Sequence, residues 1–237
     1  MSAPADPTTN STHPRKFRAA LAKAFIALAV FAVILFLSAG TLDWAMGWAY
    51  IGIAAVSTLV VSQLMDTALL HARTTVHQEG AKRWDMPLAL IVGRIGPIAI
   101  LLVAGLGKRY GWSSPMSLPL LVLGFVLLAL GYIFSDWALV ANRFFAPVVR
   151  IQTDKGHTVV TDGPYRWVRH PGYAGAALVY GGTPLILGSW WAFSPFAVTL
   201  VVIVIRTALE DRTLRQELPG YAEYANEVRW RLLPGVW

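Results

Sequence analysis

The sequence predicts an all-α fold, a polytopic membrane bundle of about six membrane-penetrating helices, and three observations predict it. Hydrophobic residues make up 56% of the 237 and charged ones only 14%, against roughly 45–50% apolar and about 25% charged in a soluble domain. Long runs carry no charge at all, nineteen residues between Lys23 and Asp43 and thirty-five from Pro171 to Ile205. The basic residues flank these runs instead of forming one patch, as topology signals do. That distribution argues against nucleic acid as the partner that a net charge of +7 would otherwise suggest. With no cysteine in the chain, disulfides, thiolate metal sites and cysteine nucleophiles are excluded.

The elements follow in order. Met1 to Pro14, rich in Pro, Ser and Thr, reads as a disordered tail, and the chain divides into a tail (1–16), N-terminal transmembrane helices (17–141) and a C-terminal functional region (142–237). The run after Lys23 is the first span, since nineteen residues at about 1.5 Å each nearly match a hydrocarbon core of about 30 Å. A cleavable signal peptide ending near Ser38-Ala39-Gly40 is the rival, and the apolar stretch is longer than the usual 7–15 residues of such segments. Trp44 to Leu70 is the second span, with Trp44, Trp48 and Tyr50 as interfacial anchors. His71 to Asp85 is a polar loop. Pro87 to Gly107 forms the third span, with Pro87 in the first turn, where its missing N–H does little harm. The fourth runs from about Leu118 to Val140.

The thirty-five residues after Arg169-His170 would extend about 52 Å as one helix, too far for a single crossing. They therefore fold as a helical hairpin, with the turn near Gly188-Ser189 and Trp190-Trp191 at the interface. The charged tail has helical potential up to Leu218, before the breaker Pro219-Gly220. Counting Lys and Arg with the N-terminus inside gives seventeen in inner segments and two, Lys108 and Arg109, in outer loops. The count predicts six spans with both termini cytoplasmic and puts the His157 and Arg206 segments on one side. The expected location is the inner or plasma membrane of a bacterium.

Specialised residues are densest from Gln152 to Gly175, in the run Gly156-His157-Thr158-Val159-Val160-Thr161, then Gly163-Pro164-Tyr165, then Arg169-His170-Pro171-Gly172-Tyr173. A second group follows the hairpin: Arg206, Glu210, Leu218-Pro219-Gly220-Tyr221, Tyr224 and Arg231 to Pro234. These two groups, in this order and separated by a hydrophobic hairpin, resemble the cofactor-site signature of the isoprenylcysteine carboxyl methyltransferases. The resemblance covers about residues 142 to 237. It implies a S-adenosylmethionine-dependent membrane methyltransferase, a site at the cytoplasmic face closed by the C-terminal helix, and a lipophilic or amphiphilic acceptor within the membrane lipid. Carried over by position, it implies cofactor contacts from Gln152, His157, Thr158, Val159, Val160, Tyr165, His170, Pro171, Gly172, Tyr173 and Glu210, with Arg206 holding a substrate carboxylate. It implies no metal.

The chemistry of these side chains fits that donor without assigning each contact. His170 and Gln152 can donate and accept hydrogen bonds, Glu210 can accept from an ammonium or hydroxyl, and Tyr165 and Tyr173 offer ring faces to a cation. Gly163-Pro164 and Pro171-Gly172 make turns that allow close backbone approach. A carboxylate acceptor needs no general base, and Arg206 can orient it by a forked pair of hydrogen bonds; an amine or thiol acceptor would call on His170 or Glu210.

Each assignment has a plainer rival. Arg206 and Glu210, four apart, can form a simple helical ion pair. Arg150 and Arg166 suit lipid anchoring, and Tyr221 and Tyr224 suit packing of the tail. Asp66, Arg94 and Asp136 lie in or near apolar spans, where ionisable groups are costly, and Arg94 is expected to pair with one of the aspartates. His13, His71 and His77 lack metal-ligand spacing. Two other functions share parts of the pattern: an NADPH-dependent membrane lipid reductase of the sterol type, and a non-catalytic membrane scaffold.

Overall fold

The computed structural model describes residues 12–65 and 80–237. The described residues contain helices and no strand. The helices are α1 (Thr12–Ala39), α2 (Ala45–Leu64), α3 (Asp85–Tyr110), α4 (Leu118–Ala141), α5 (Pro171–Ile186), α6 (Phe193–Glu217) and the short α7 (Tyr221–Glu227). Asp66, His71, His77 and residues 1–11 lie outside the described residues, as does the side chain of His13. Five of the helices, α1 from Arg18, α2, α3, α4 and α6, are long and apolar enough to cross a membrane. The sixth expected span, α5, has 16 residues, about 24 Å at the helical rise.

The hairpin is where the charge-free run has to bend. Helix α5 ends at Ile186, and Gly188 takes the left-handed backbone (φ 67°) that other residues avoid. Trp190 N–H then donates to Ser113 Oγ (3.0 Å), and Trp191 Nε1–H to the Trp112 carbonyl, so this turn lies beside the α3–α4 loop. At the opposite end of the bundle gather the start of α3, residues 142–170 and the end of α6, held by contacts between Asp85, Val149 and Arg206. The segments containing His157 and Arg206 thus share one end, as the charge count required.

Helix α5 is buried at the centre because it lacks side chains where it meets α4. A Cβ at Gly131 would lie 2.7 Å from the Val179 nitrogen, and one at Gly182 would lie 2.8 Å from the Gly124 carbonyl oxygen. Small residues spaced by seven, Gly124 and Gly131 on one helix and Gly175 and Gly182 on the other, let the backbones approach closely. Lipid offers helices no hydrophobic drive to associate, so van der Waals contact and close approach hold the pair. The outward faces of α1, α2, α4 and α6 stay apolar, with Leu37, Val56, Ile133 and Val198 all exposed, as a lipid solvent demands.

Gly131→Ala is expected to lower stability by about 1–3 kcal/mol through overpacking. Gly52→Ala, where nothing lies within 4 Å, is expected to cost nothing; thermal unfolding of both in the same detergent compares them directly.

Candidate active site

The polar end of the bundle is assembled around two buried carboxylates. Asp211, on α6, accepts from Arg169 Nε (2.7 Å) and Nη2 (3.0 Å), from Tyr221 Oη (3.1 Å), from Arg231 Nε (3.0 Å) and from Arg215 Nε (3.4 Å), with His170 Nε2 at 3.3 Å. Arg169 Nη1 also donates to the carbonyls of Val228 and Arg229. One acidic side chain therefore ties together the loop before α5, helix α6, α7 and the C-terminal segment. Arg169 is a structural clasp here.

The second carboxylate is Asp85, fully buried at the first residue of α3. Its two oxygens take the Nε (2.6 Å) and Nη2 (2.9 Å) edge of Arg206, and Oδ2 also accepts the Val149 N–H (2.7 Å). Arg206 Nη2 donates further to the Pro147 carbonyl. Two readings of Arg206 meet this geometry. Arg206 does not form an ion pair with Glu210, and its forked edge is not open to a substrate carboxylate, because Asp85 occupies it. Nη1 is the nitrogen of Arg206 without a hydrogen-bond partner among the described residues, and the guanidinium lies 5.3 Å from the ring centre of Tyr173.

A cavity of about 720 Å³ opens between these anchors. Ten of the twelve expected site residues line it: His157, Thr158, Val159, Val160, Tyr165, His170, Gly172, Tyr173, Arg206 and Glu210. Gln152 and Pro171 do not line it. Gln152 is buried behind the wall, its Nε2 donating to the Phe144 carbonyl and its Oε1 accepting from Arg150 Nη2. Pro171 is spent on the first turn of α5. Within the cavity, Tyr173 Oη donates to Glu210 Oε2 at 2.6 Å, so the loop motif and the helix motif meet in one bond. His170 stacks at 6.0 Å on Tyr173, and its Nε2 also lies 3.4 Å from Tyr221 Oη. From the loop above, Asn142 Nδ2 donates to Tyr165 Oη, and Tyr224 Oη donates to the Tyr165 carbonyl. Burial pushes the Tyr165, Tyr221 and Tyr224 hydroxyls above their ordinary value, and for Tyr221 the Asp211 carboxylate adds to the effect. All three act at neutral pH as neutral hydrogen-bonding groups.

His157 is positioned by a local turn. The short 3-10 turn Thr153–Lys155 ends at Gly156, whose left-handed backbone (φ 60°) returns the chain to Gln152. There the Gln152 N–H donates to His157 Nδ1 (3.3 Å) and the His157 N–H donates to the Gln152 carbonyl. The imidazole packs on Phe144 with ring centres 4.5 Å apart.

Tyr221 and Tyr224, expected only to pack the tail, are buried and also line the cavity. Arg166 is exposed beside Asp162, as an outward anchor would be, whereas Arg150 is mostly buried against Gln152 and Asp154. Asp85 and Asp211 were missed altogether. An acid at the start of an apolar helix was the available signal for Asp85; its partner is 121 residues away.

Between the helices the lining is largely apolar, from α3 (Met86, Ala89, Leu90), α4 (Leu139) and α5 (Ala176), and it also carries Arg94, Ser135, Asp136 and Tyr180. The cavity is thus mostly polar at the loop end and mostly apolar between the helices. This is the shape in which a water-soluble and a lipid-soluble reactant can meet.

The chain is 31% identical to a protein-S-isoprenylcysteine O-methyltransferase B of Arabidopsis thaliana over 144 residues, 60% of this chain and 70% of that protein. The chain belongs to the isoprenylcysteine carboxyl methyltransferase family. A probable protein-S-isoprenylcysteine O-methyltransferase of Oryza sativa subsp. indica is 34% identical over 51% of this chain and 61% of its own length. The family model described as phospholipid methyltransferase matches residues 119–219, a stretch that includes the loop motif and the helix motif. The fold is similar to that of a eukaryotic intramembrane Ras methyltransferase, isoprenylcysteine carboxyl methyltransferase, with a TM-score of 0.54 and 17% identity over 98% of this chain and 88% of that one. This protein is a multi-pass membrane methyltransferase, and its two motifs converge on the cavity.

Two outcomes follow from the geometry. Arg206→Gln leaves the Asp85 carboxylate buried without its counter-charge and is expected to cost about 3–5 kcal/mol of stability. The double variant Asp85→Asn/Arg206→Gln recovers a large part of that loss, measured as unfolding midpoints in a double-mutant cycle. Burial, reinforced by the Arg150 charge, holds the His157 imidazole below its usual 6.5. Its neutral form stabilises the Gln152–His157 turn fully above about pH 6.5, and that contribution is lost as pH falls toward the lowered value. Between pH 7 and 5 the melting temperature of the wild type is expected to fall more steeply than that of His157→Gln.

Proposed function

We propose that this protein transfers the methyl group of S-adenosylmethionine to the carboxylate of an amphiphilic acceptor of the prenylated-cysteine type, at the cytoplasmic face of the membrane. The observation that carries this reading is the two-part cavity, polar beside Glu210 and His170 and largely apolar between α3, α4 and α5, where Arg94 and Asp136 are the charged side chains. Its polar donor set suits S-adenosylmethionine. The Glu210 carboxylate answers an ammonium or ribose hydroxyl, the Tyr173 and Tyr165 rings present faces to the sulfonium, and His170 has Nδ1 left for a hydrogen bond. When bound, that donor supplies an already activated methyl group, which the acceptor oxygen attacks in line as the carbon–sulfur bond breaks.

The protein's own contribution is alignment and exclusion of water. Arg206, locked by Asp85, offers one nitrogen, Nη1, to one oxygen of the acceptor carboxylate, leaving the other oxygen free to react. A single fixed donor orients the carboxylate with less withdrawal of its negative charge than a fork would cause. No general base is required, so the neutral tyrosines are compatible with the reaction. The acceptor's tail lies in the apolar arm and need not leave the lipid. Membership of a methyltransferase family favours this reading over the NADPH-dependent reductase and over the scaffold.

Purified protein in lipid nanodiscs is expected to bind labelled S-adenosylmethionine and to methylate an S-prenylated N-acylcysteine. Glu210→Gln is expected to weaken donor binding by about tenfold or more, the value of a charge-assisted hydrogen bond; Arg206→Lys is expected to keep donor binding and lose turnover. Wild-type donor affinity in both Glu210→Gln and His170→Ala removes the site assignment, and retention of NADPH without S-adenosylmethionine removes the reaction.

A further inference from the structure

Four arginines line the cavity, Arg94, Arg150, Arg169 and Arg206. Three of them have carboxylate partners: Asp154 for Arg150, Asp211 for Arg169 and Asp85 for Arg206. Arg94 is different. Its side chain is exposed, and it makes no ion pair or hydrogen bond with any described residue. It lies nine residues beyond Asp85 in the span Asp85–Tyr110, about 13 Å further into the bundle at the helical rise. A guanidinium at such depth is costly unless it meets an anion or a water-filled space.

The helix is built to turn this residue toward the cavity. Residues Ile91–Ile95 form a π-turn, a widening of the helix that often marks functional sites. The Tyr180 hydroxyl of α5 donates to the Val92 carbonyl within that turn (2.8 Å), fixing it from across the cavity. Gly93 has no heavy atom within 4 Å of where a Cβ would stand, so space lies beside the arginine. Asp136, the acid of the same arm, accepts a 2.6 Å hydrogen bond from Ser57 of α2.

We propose that Arg94 is a binding residue for an anionic head group on an apolar tail, reading the acidic end of the acceptor as it enters the cavity from the lipid. The chemistry of the acceptor rests on the methyltransferase reading above; the anion site rests on Arg94 alone. A carboxylate entering between the helices meets this charge, unpaired among the described residues, before it reaches the Asp85-neutralised Arg206. Arg94 thus favours acidic amphiphiles over neutral ones of the same shape.

The test uses the full chain in phosphatidylcholine nanodiscs and two probes, an S-prenylated N-acylcysteine and its primary amide, with direct binding as the readout. The wild type is expected to prefer the carboxylate by about tenfold or more. Arg94→Gln is expected to abolish that preference, Arg94→Lys to retain most of it, and both to bind S-adenosylmethionine as the wild type does. Displacement of the carboxylate probe by phosphatidylglycerol, seen in the wild type and lost in Arg94→Gln, identifies a lipid phosphate as a second ligand of the same site. An undiminished preference in a folded Arg94→Gln protein overturns the proposal. Failure of the wild type to bind S-adenosylmethionine at all would remove the methyltransferase reading and leave the anion preference standing as a separate result.

Discussion

The carboxylate of Asp211 is the constraint on which the polar half of the molecule depends. Without it, Arg169, Arg215 and Arg231 would bring three like charges together at the edge of the bilayer, and His170 and Tyr221 would lose their shared partner. Its Arg169 partner extends the tie to the carbonyls of Val228 and Arg229, so the chain after α7 is folded back onto the loop before α5. That closure makes a cavity out of what would otherwise be a groove open to water. Multiple hydrogen bonds are what make a buried carboxylate tolerable, and Asp211 is satisfied on both oxygens.

Asp85 does the same for the membrane half by a different route. It joins the start of α3, the Pro147–Val149 strand of loop and the middle of α6. Because the pair is neutral as a unit, Arg206 can sit at the mouth of an apolar cavity without a large desolvation penalty. In the proposed reaction, the cost of that arrangement is that the forked edge is withheld from the substrate. Position is therefore set at the expense of binding strength, which suits a reaction in which alignment is the main requirement.

The helical part of this architecture was legible because lipid imposes length and composition on each span. The fourth helix, expected from about Leu118 to Val140, runs from Leu118 to Ala141, and the turn at Gly188 follows from a charge-free run too long for one crossing. The site motifs were legible as a group because Tyr173 and Glu210 belong to runs that share one resemblance, and these two residues meet in the structure. What could not be read was direction. Gln152 stands beside cavity residues in the sequence, yet it turns inward to the Phe144 carbonyl and Arg150, and no periodicity in a loop signals which way a side chain faces. The partnership of Asp85 with Arg206 depends on the packing of α3 against α6, and long-range pairing leaves no local trace. The π-turn around Arg94 is likewise hidden, since its residues are as apolar as those of the regular helix on either side.

Charge within the cavity is distributed in a way that bears on how two reactants are kept in order. Arg206 is matched by Asp85 and Arg169 by Asp211, so both contribute little net charge to the space between them. Glu210, which accepts from the Tyr173 hydroxyl, places a carboxylate at the loop end, and Arg94 places a guanidinium in the arm between the helices. In the proposed reaction, a donor bearing ammonium and sulfonium charges would be drawn to the first, and an acceptor bearing a carboxylate would be drawn past the second. The two opposite charges then approach one another inside a region with little water, where attraction between them is stronger than in solution. Methyl transfer of the proposed kind neutralises the sulfonium and the carboxylate together, which would weaken the attraction between the products and favour their departure by the separate routes, water and lipid, through which the reactants arrived.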